Sequence, residues 1–264
     1  MPADAPAALV EQRGHVLVIT LNRPHAMNAV NAELSELVGT ALERAEQDPE
    51  TRVVVLTGAG ERAFCAGADL KAVSRGESLA APGHEEWGFA GYVRHPISKP
   101  TIAAVNGFAL GGGTELALAS DLVVAAESAK FGLPEVKRGL FAAAGGVFRL
   151  PRQIPQKIAM EMMFTGEPLD AARAATLGLV NHVVADADVL AEAVALAEKI
   201  ATNAPLAVQA SKRVALGIVD GAIAAEDGAW DNTRENAVGV MTSEDVREGT
   251  LAFVEKRSPV WQAK

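Results

Sequence analysis

The chain holds a single cysteine, Cys65. It can form no internal disulfide and no cysteine-based zinc cluster, so a reducing compartment is the natural reading. No apolar run approaches the ~20 residues that a membrane helix requires, and no membrane partner is expected. The opening MPADAPAALV lacks a basic stretch followed by a hydrophobic one, so no secretory signal is read there. Together these features predict a cytoplasmic protein. Positive charge is scarce too: 24 Lys and Arg face 33 Asp and Glu, a net charge of −9. Nucleic acid needs a basic face and is not expected as a partner, whereas a small anionic ligand needs only a few local cations. His15, His25, His84, His95 and His182 are scattered without metal-ligand spacing. No metal is expected, and no repeat or low-complexity tract is present.

What is there is apolar and ordered. Hydrophobic residues make up 49% of 264, enough to bury a substantial core. Residues 1–10 read as a loose tail. Val16–Asn22 is rich in β-branched residues and reads as a strand, ended by Asn22-Arg23-Pro24. Asn31 is a good N-cap for a helix over 32–47, whose Leu34, Leu37, Val38, Ala41, Leu42 and Ala45 share one face. Val53–Thr57 is a continuous apolar strand, as in a sheet covered on both faces. A glycine-rich loop, 58–67, then leads into a helix start at Ala68-Asp69-Leu70-Lys71. Its spacing is wrong for a Gly-x-Gly-x-x-Gly phosphate loop. Residues 72–91 show weak periodicity and read as a mobile segment over a site. Beyond 146 the pattern turns helical, with apolar pieces at 146–150 and 158–164 separated by Pro151 and Pro155, a helix over 171–177 capped by Asp170 and stopped by Gly178, and a short strand at 180–184. The α/β core is expected to span 1–200 and an all-helical part 201–264.

The densest chemistry lies between 102 and 146. Gly111-Gly112-Gly113 separates an apolar strand, Ile102–Val105, from a helix over 114–120. Glycine lets a ligand approach bare amides, and the first N–H groups of a helix are unpaired at its positive end. Such a turn cradles negative charge. Glu115 follows in the first helical turn, the next apolar run, Leu122–Ala126, reads as another strand, and Glu135 lies beyond it in Leu133-Pro134-Glu135. Two acids beside an anion cradle suit proton movement next to a carbonyl that gains charge. A glutamate in a first turn is also favourable for the helix alone, so spacing by itself leaves both readings open. Cys65 has no positioned base and reads as a packing residue.

Several stretches together resemble the crotonase (enoyl-CoA hydratase/isomerase) superfamily. They are Asn22-Arg23-Pro24 with Asn28-Ala29, the run 63–70 (AFCAGADL), Val105-Asn106-Gly107, Gly111–Glu115, and Phe131–Glu135. Gly139, Gly145-Gly146, Ser243-Glu244-Asp245 and the run 253–257 complete the set. The matches span almost the whole chain in the family's order. The resemblance implies a spiral of ββα units with a helical C-terminal trimerisation region, and a homotrimer or a hexamer built of two trimers.

It also implies a reaction: reversible addition of water to a 2-enoyl-CoA, of the fatty-acid β-oxidation type, with coenzyme A entering as part of the substrate and no separate cofactor. The thioester oxygen would sit between the backbone N–H groups of Ala68 and Gly112. Glu115 would hold and polarise water, and Glu135 would exchange the proton at Cα. Ala66, Asp69 and Leu70 match positions beside the CoA adenine and pantetheine. Arg23, Lys71 and, from a neighbouring subunit, Phe253 and Lys256 are candidates for the nucleotide end. Trp87 and Tyr92 are candidates for the acyl chain, and Trp230 for an interface or the core. Where many members carry proline, this chain has Ala142, which leaves that loop less restrained. Carnitinyl-CoA dehydratases and enoyl-CoA isomerases of the family stay open as alternatives, since the former share Arg149-Leu150-Pro151. A non-catalytic acyl-CoA carrier on the same fold would need neither acid.

Overall fold

The computed structural model describes residues 5–264. An antiparallel pair opens it, β1 (Ala8–Arg13) against β2 (Val16–Leu21), followed by α1 (Ala32–Gln47) and β3 (Val53–Gly58). Next come β4 (Ala63–Cys65), α2 (Leu70–Ser74), β5 (Thr101–Val105), β6 (Phe108–Leu110) and α3 (Gly112–Ala119). β7 (Leu122–Ala126), β8 (Lys130–Gly132), α4 (Gly146–Gln153), α5 (Gln156–Thr165), β9 (Leu169–Asp170), α6 (Ala171–Thr176) and β10 (His182–Val184) follow. The chain continues through α7 (Val189–Ala201), α8 (Pro205–Leu216), β11 (Ile218–Val219), β12 (Ala222–Ile223), α9 (Asp227–Met241) and α10 (Glu244–Glu255).

Two sheets are built side by side. One has six strands in the order β1-β2-β3-β5-β7-β10, parallel from β2 onward. The other has four short strands, β4-β6-β8-β9. The windings β3-β4-α2 and β5-β6-α3 each lay one strand in each sheet before a helix, and β7-β8 repeats the step, which is the ββα spiral. Every residue of β3 and β5 is buried, as continuous apolar runs in a doubly covered parallel sheet should be. α7 lies across β3, β5 and β7.

Caps place the helices. The Asn31 side chain accepts from Leu34 N, Asp170 from Arg173 N, and Ser243 from Val246 N, each satisfying an otherwise unpaired donor. Four expectations need correction. The tail does not extend to residue 10, because β1 begins at Ala8 and pairs with β2 through Arg13; residues 1–4 lie outside the described part. The helix expected to end near Pro151 continues to Gln153. The C-terminal part carries a small ribbon, β11–β12, among its helices. Residues 72–91 form a folded segment rather than a loose one: Ala72, Ala81 and Ala90 are buried, and the Ser35 hydroxyl donates to Leu79 O at 2.6 Å.

Candidate active site

Two turns at the ends of the short strands β4 and β6 meet edge to edge. In the first, Val30 N donates to Gly67 O (2.8 Å) and Asp69 N to Val30 O (2.9 Å). This bridge uses the amides on either side of Ala68 and leaves its own N–H free of any acceptor among the described residues. Gly67 at φ +93 makes the turn possible. The buried Asn28 side chain fixes the loop from behind, donating to Ala59 O (3.0 Å) and Ala63 O (2.8 Å) and accepting from Arg23 N (3.0 Å). Asp69 caps α2 through Lys71 N and Ala72 N and also takes the Arg23 guanidinium at 2.8 Å. Arg23 and its salt bridge lower the Asp69 carboxyl against the opposing effect of burial.

The second turn ends β6. Gly111, at φ +57, donates its N–H to Gly132 O at 2.8 Å, and α3 starts at Gly112. As the first helical residue, Gly112 has no intrahelical acceptor for its N–H. The Thr114 hydroxyl bolts the helix start to both neighbouring strands. It lies 2.6 Å from Ala109 O and 2.9 Å from Gly132 O, and accepts from Gly132 N at 2.9 Å. The turns abut closely enough that a Cβ on Gly67 would sit 3.2 Å from Gly112 N, and one on Gly113 would fall on the Cys65 carbonyl oxygen. Backbone thus meets backbone at this junction, with Ala68 following Gly67 on one side and Gly112 on the other.

The two acids line the same place. Glu115 is 3% exposed, and its Oε1 accepts from Gly146 N at 2.8 Å. Glu135 stands on a 3-10 turn, Pro134–Arg138, directly after β8. Its Oε1 lies 2.9 Å from where a Cβ on Gly111 would be, and its Oε2 is buried with no partner among the described residues. Burial first, then the charge of Glu135, raises the Glu115 carboxyl, while the Gly146 and Ala144 amides and Arg149 pull it back. Burial raises Glu135 as well. Two interacting buried carboxyls titrate as a pair, in two steps. Both carboxyls are held above the usual carboxylate range, which suits a pair that exchanges protons near neutral pH.

The structure therefore brings Ala68, Gly112, Glu115 and Glu135 together. A model of the enoyl-CoA hydratase/isomerase family matches residues 11–264. The chain belongs to that family. It is 43% identical over 257 residues to a carnitinyl-CoA dehydratase of Proteus mirabilis, covering 96% of this chain and 97% of that one. Among solved structures, a carnitinyl-CoA hydratase from Mycobacterium avium superposes with a TM-score of 0.97 at 62% identity, over 98% of this chain and 100% of that chain. An enoyl-CoA hydratase from Mycobacterium tuberculosis H37Rv gives 0.77 at 47% identity, with the same coverage of both chains. Like these relatives, this member of the family is an enzyme of hydratase type, a hydro-lyase acting on an acyl-CoA thioester.

The remaining residues expected of a family member fall into two groups. Ala66 and Leu70 lie half-buried beside the Ala68 turn, and Lys71 stands exposed at the start of α2. Arg23 and Asp69 are engaged with each other, which holds the turn in shape. Phe253 and Lys256 lie at the C-terminal end of α10. α10 packs on its own chain's Glu135 turn, where Arg138 sits over the Phe253 ring at 4.6 Å, while Lys256 ends the helix exposed. Trp87 and Tyr92 point elsewhere. Trp87 stacks between His84 and His95 at 3.9 and 4.7 Å, and Tyr92 bonds Ser120 at 2.8 Å. The aromatic ring at the site is instead Phe89, which lies against Gly112 where a side chain would otherwise go. Only its place in a weakly patterned segment hid it. Trp230 is buried in the core, edge-on to Phe148 at 4.8 Å.

Cys65 is fully buried beneath the first turn, and desolvation pushes its thiol up to about 12. A thiol held protonated is a poor nucleophile. Cys65→Ala is expected to retain turnover within about threefold, and iodoacetamide to leave the native enzyme active. Rapid inactivation by the reagent, protected by substrate, would give the thiol a role in the chemistry.

Proposed function

We propose that this enzyme hydrates 2-enoyl-CoA thioesters reversibly to 3-hydroxyacyl-CoA. The thioester oxygen accepts from the Ala68 and Gly112 amides. Glu115 takes a proton from the water as its oxygen bonds to Cβ, the C=C pair moves to make an enolate, and Glu135 delivers a proton to Cα as the enolate collapses to the thioester; exchange with solvent resets the two acids. In the reverse direction Glu135 removes the Cα proton and Glu115 returns a proton to the Cβ hydroxyl, which leaves as water. Each fixed donor to the enolate oxygen contributes roughly 3 kcal/mol in the transition state. The observation that carries this reading is the buried, unpartnered Oε2 of Glu135 beside the glycine turn. A structural carboxylate would have found a donor.

The names of the relatives favour a second substrate, carnitinyl-CoA, whose acyl chain carries a quaternary ammonium. Against it stands the state of the Trp230 ring, which borders Gly145. The ring is buried and already faced by Arg94 and Arg149 at 5.0 and 5.4 Å, so its face is taken by cations of the chain itself. A turnover screen separates the two: crotonyl-CoA and longer enoyl-CoAs are expected to turn over at least tenfold faster than crotonobetainyl-CoA. The opposite order would assign the dehydratase substrate. The apolar residues Leu206, Val214 and Val238 on the last helices are 75, 83 and 68% exposed. They support assembly into a homotrimer or hexamer, which light scattering would read directly.

A further inference from the structure

Arg149 lies one residue layer behind Glu115. It is 7% exposed and sits on α4, the helix whose first amide holds Glu115. Its Nε and Nη2 are taken by Glu226 at 2.9 and 2.6 Å, and Nη2 also reaches Val93 O at 2.8 Å. Nη1 is buried and has no acceptor among the described residues. That nitrogen lies 3.3 Å from where a Cβ on Gly145 would be, and Glu115 Oε1 lies 3.0 Å from the same point on Gly146. The guanidinium and the carboxylate thus border adjacent residues, Gly145 and Gly146. Among the described residues, three buried side-chain N or O atoms lack a partner: Arg52 Nε, Glu135 Oε2 and Arg149 Nη1. Two of the three border this site.

We propose that the Arg149–Glu226 pair is a positioning device that sets the protonation of the two catalytic carboxyls from the C-terminal region. The inference rests on the reading of Glu115 and Glu135 given above. Glu226 belongs to the turn that leads into α9, so this region supplies a countercharge to the catalytic core besides any part it has in assembly. The groups facing Glu115 are few. Glu135 on the 134–138 turn repels it. The Gly146 and Ala144 amides and Arg149 favour its charge, and the protonated Cys65 lies below it on β4. Arg149 is the cation in that set, and Glu226 opposes part of its field. Packing alone would not require a cation here. A buried ion pair commonly stabilises no better than apolar residues of similar volume.

The consequence has a sign for each partner. Without the guanidinium, the carboxyls hold their protons more tightly, and the pH–rate profile moves up. Without the Glu226 charge, the guanidinium acts uncompensated, and the profile moves down. The test measures kcat and KM against pH with crotonyl-CoA for wild type, Arg149→Met, Glu226→Gln and the double variant. Arg149→Met is expected to shift both limbs up by about one pH unit, Glu226→Gln to shift them down, and the double variant to lie above wild type, with KM moving less than kcat. Loss of rate in both single variants, with limbs unmoved and rate restored in the double variant, would leave the pair a purely structural brace. Should a single variant fail to fold, the double variant decides by the same criterion, since it leaves no uncompensated charge. Glu115→Gln, run alongside, separates the two layers of inference. Wild-type turnover in that variant overturns the functional reading and this proposal with it. A dead Glu115→Gln with unmoved profiles overturns this proposal alone.

Discussion

Glu135→Gln is expected to lower hydration of crotonyl-CoA by about 10²–10⁴-fold, with the affinity for the CoA ester held. Glutamine keeps the shape of the side chain but cannot exchange a proton, and Oε2 has no bond for the amide to break. Glu115→Gln is expected to fall in the same range. Its carbonyl oxygen can still accept from Gly146, so the α4 junction survives the change. Wild-type rates in both variants would favour a non-catalytic acyl-CoA carrier. The same substitution has a stability signature of definite sign. Burial raises the folded-state pKa of Glu135 above its unfolded value. Its favourable contribution is therefore complete below the ordinary carboxylate range, and it is lost as pH rises through the raised value. Glu135→Gln removes that penalty. Its Tm should exceed wild type by roughly 2–5 °C at pH 8, and the gap should close on acidification. An equal Tm at all pH values would mean that the carboxyl is not held in a desolvated place.

Gly113→Ala is expected to cost about 10²–10³-fold in kcat while leaving the secondary structure intact. A methyl group there falls on the backbone oxygen of Cys65, which cannot turn aside as a side chain would. The start of α3 must then move away from β4, and the Ala68 and Gly112 amides cease to converge on one point. The loss should appear in kcat more than in KM, because the amides matter most when the oxygen is charged. Circular dichroism and a Tm measurement distinguish a displaced turn from a collapsed fold. Full activity in Gly113→Ala would show that the paired turns are not where the thioester oxygen binds.

Local chemistry made much of this architecture readable in the chain. Asn31 and Asp170 announced their helices because their side chains perform the capping directly. β3, β5 and β7 were visible as unbroken apolar runs. The second sheet was not. β4, β6 and β8 are three residues each, too short for any alternation to register, and so the spiral repeat left no sequence period. β1 escaped for a different reason: five of its six residues are exposed, as on an edge strand, so no buried face marks it. At the site, the glycines and both glutamates stood out because their types are chemically specific. Phe89, Arg149 and Glu226 did not, since their roles depend on contacts across distant parts of the chain. The docking of α10 on the Glu135 turn was equally invisible, because it needs Gly139 and Gly249 to accept backbone at close range.

The parallel order of the larger sheet also governs how the molecule comes to be active. Val16 aligns with Val53, Val54 with Thr101, and Val124 with His182, so each alignment must close a long stretch of chain before it gains anything. Such non-local closures are slow compared with winding a helix. After dilution from denaturant, helical signal should return early. Turnover should lag until the last strands register, because the two amides at the reacting oxygen arrive on separate windings of the chain.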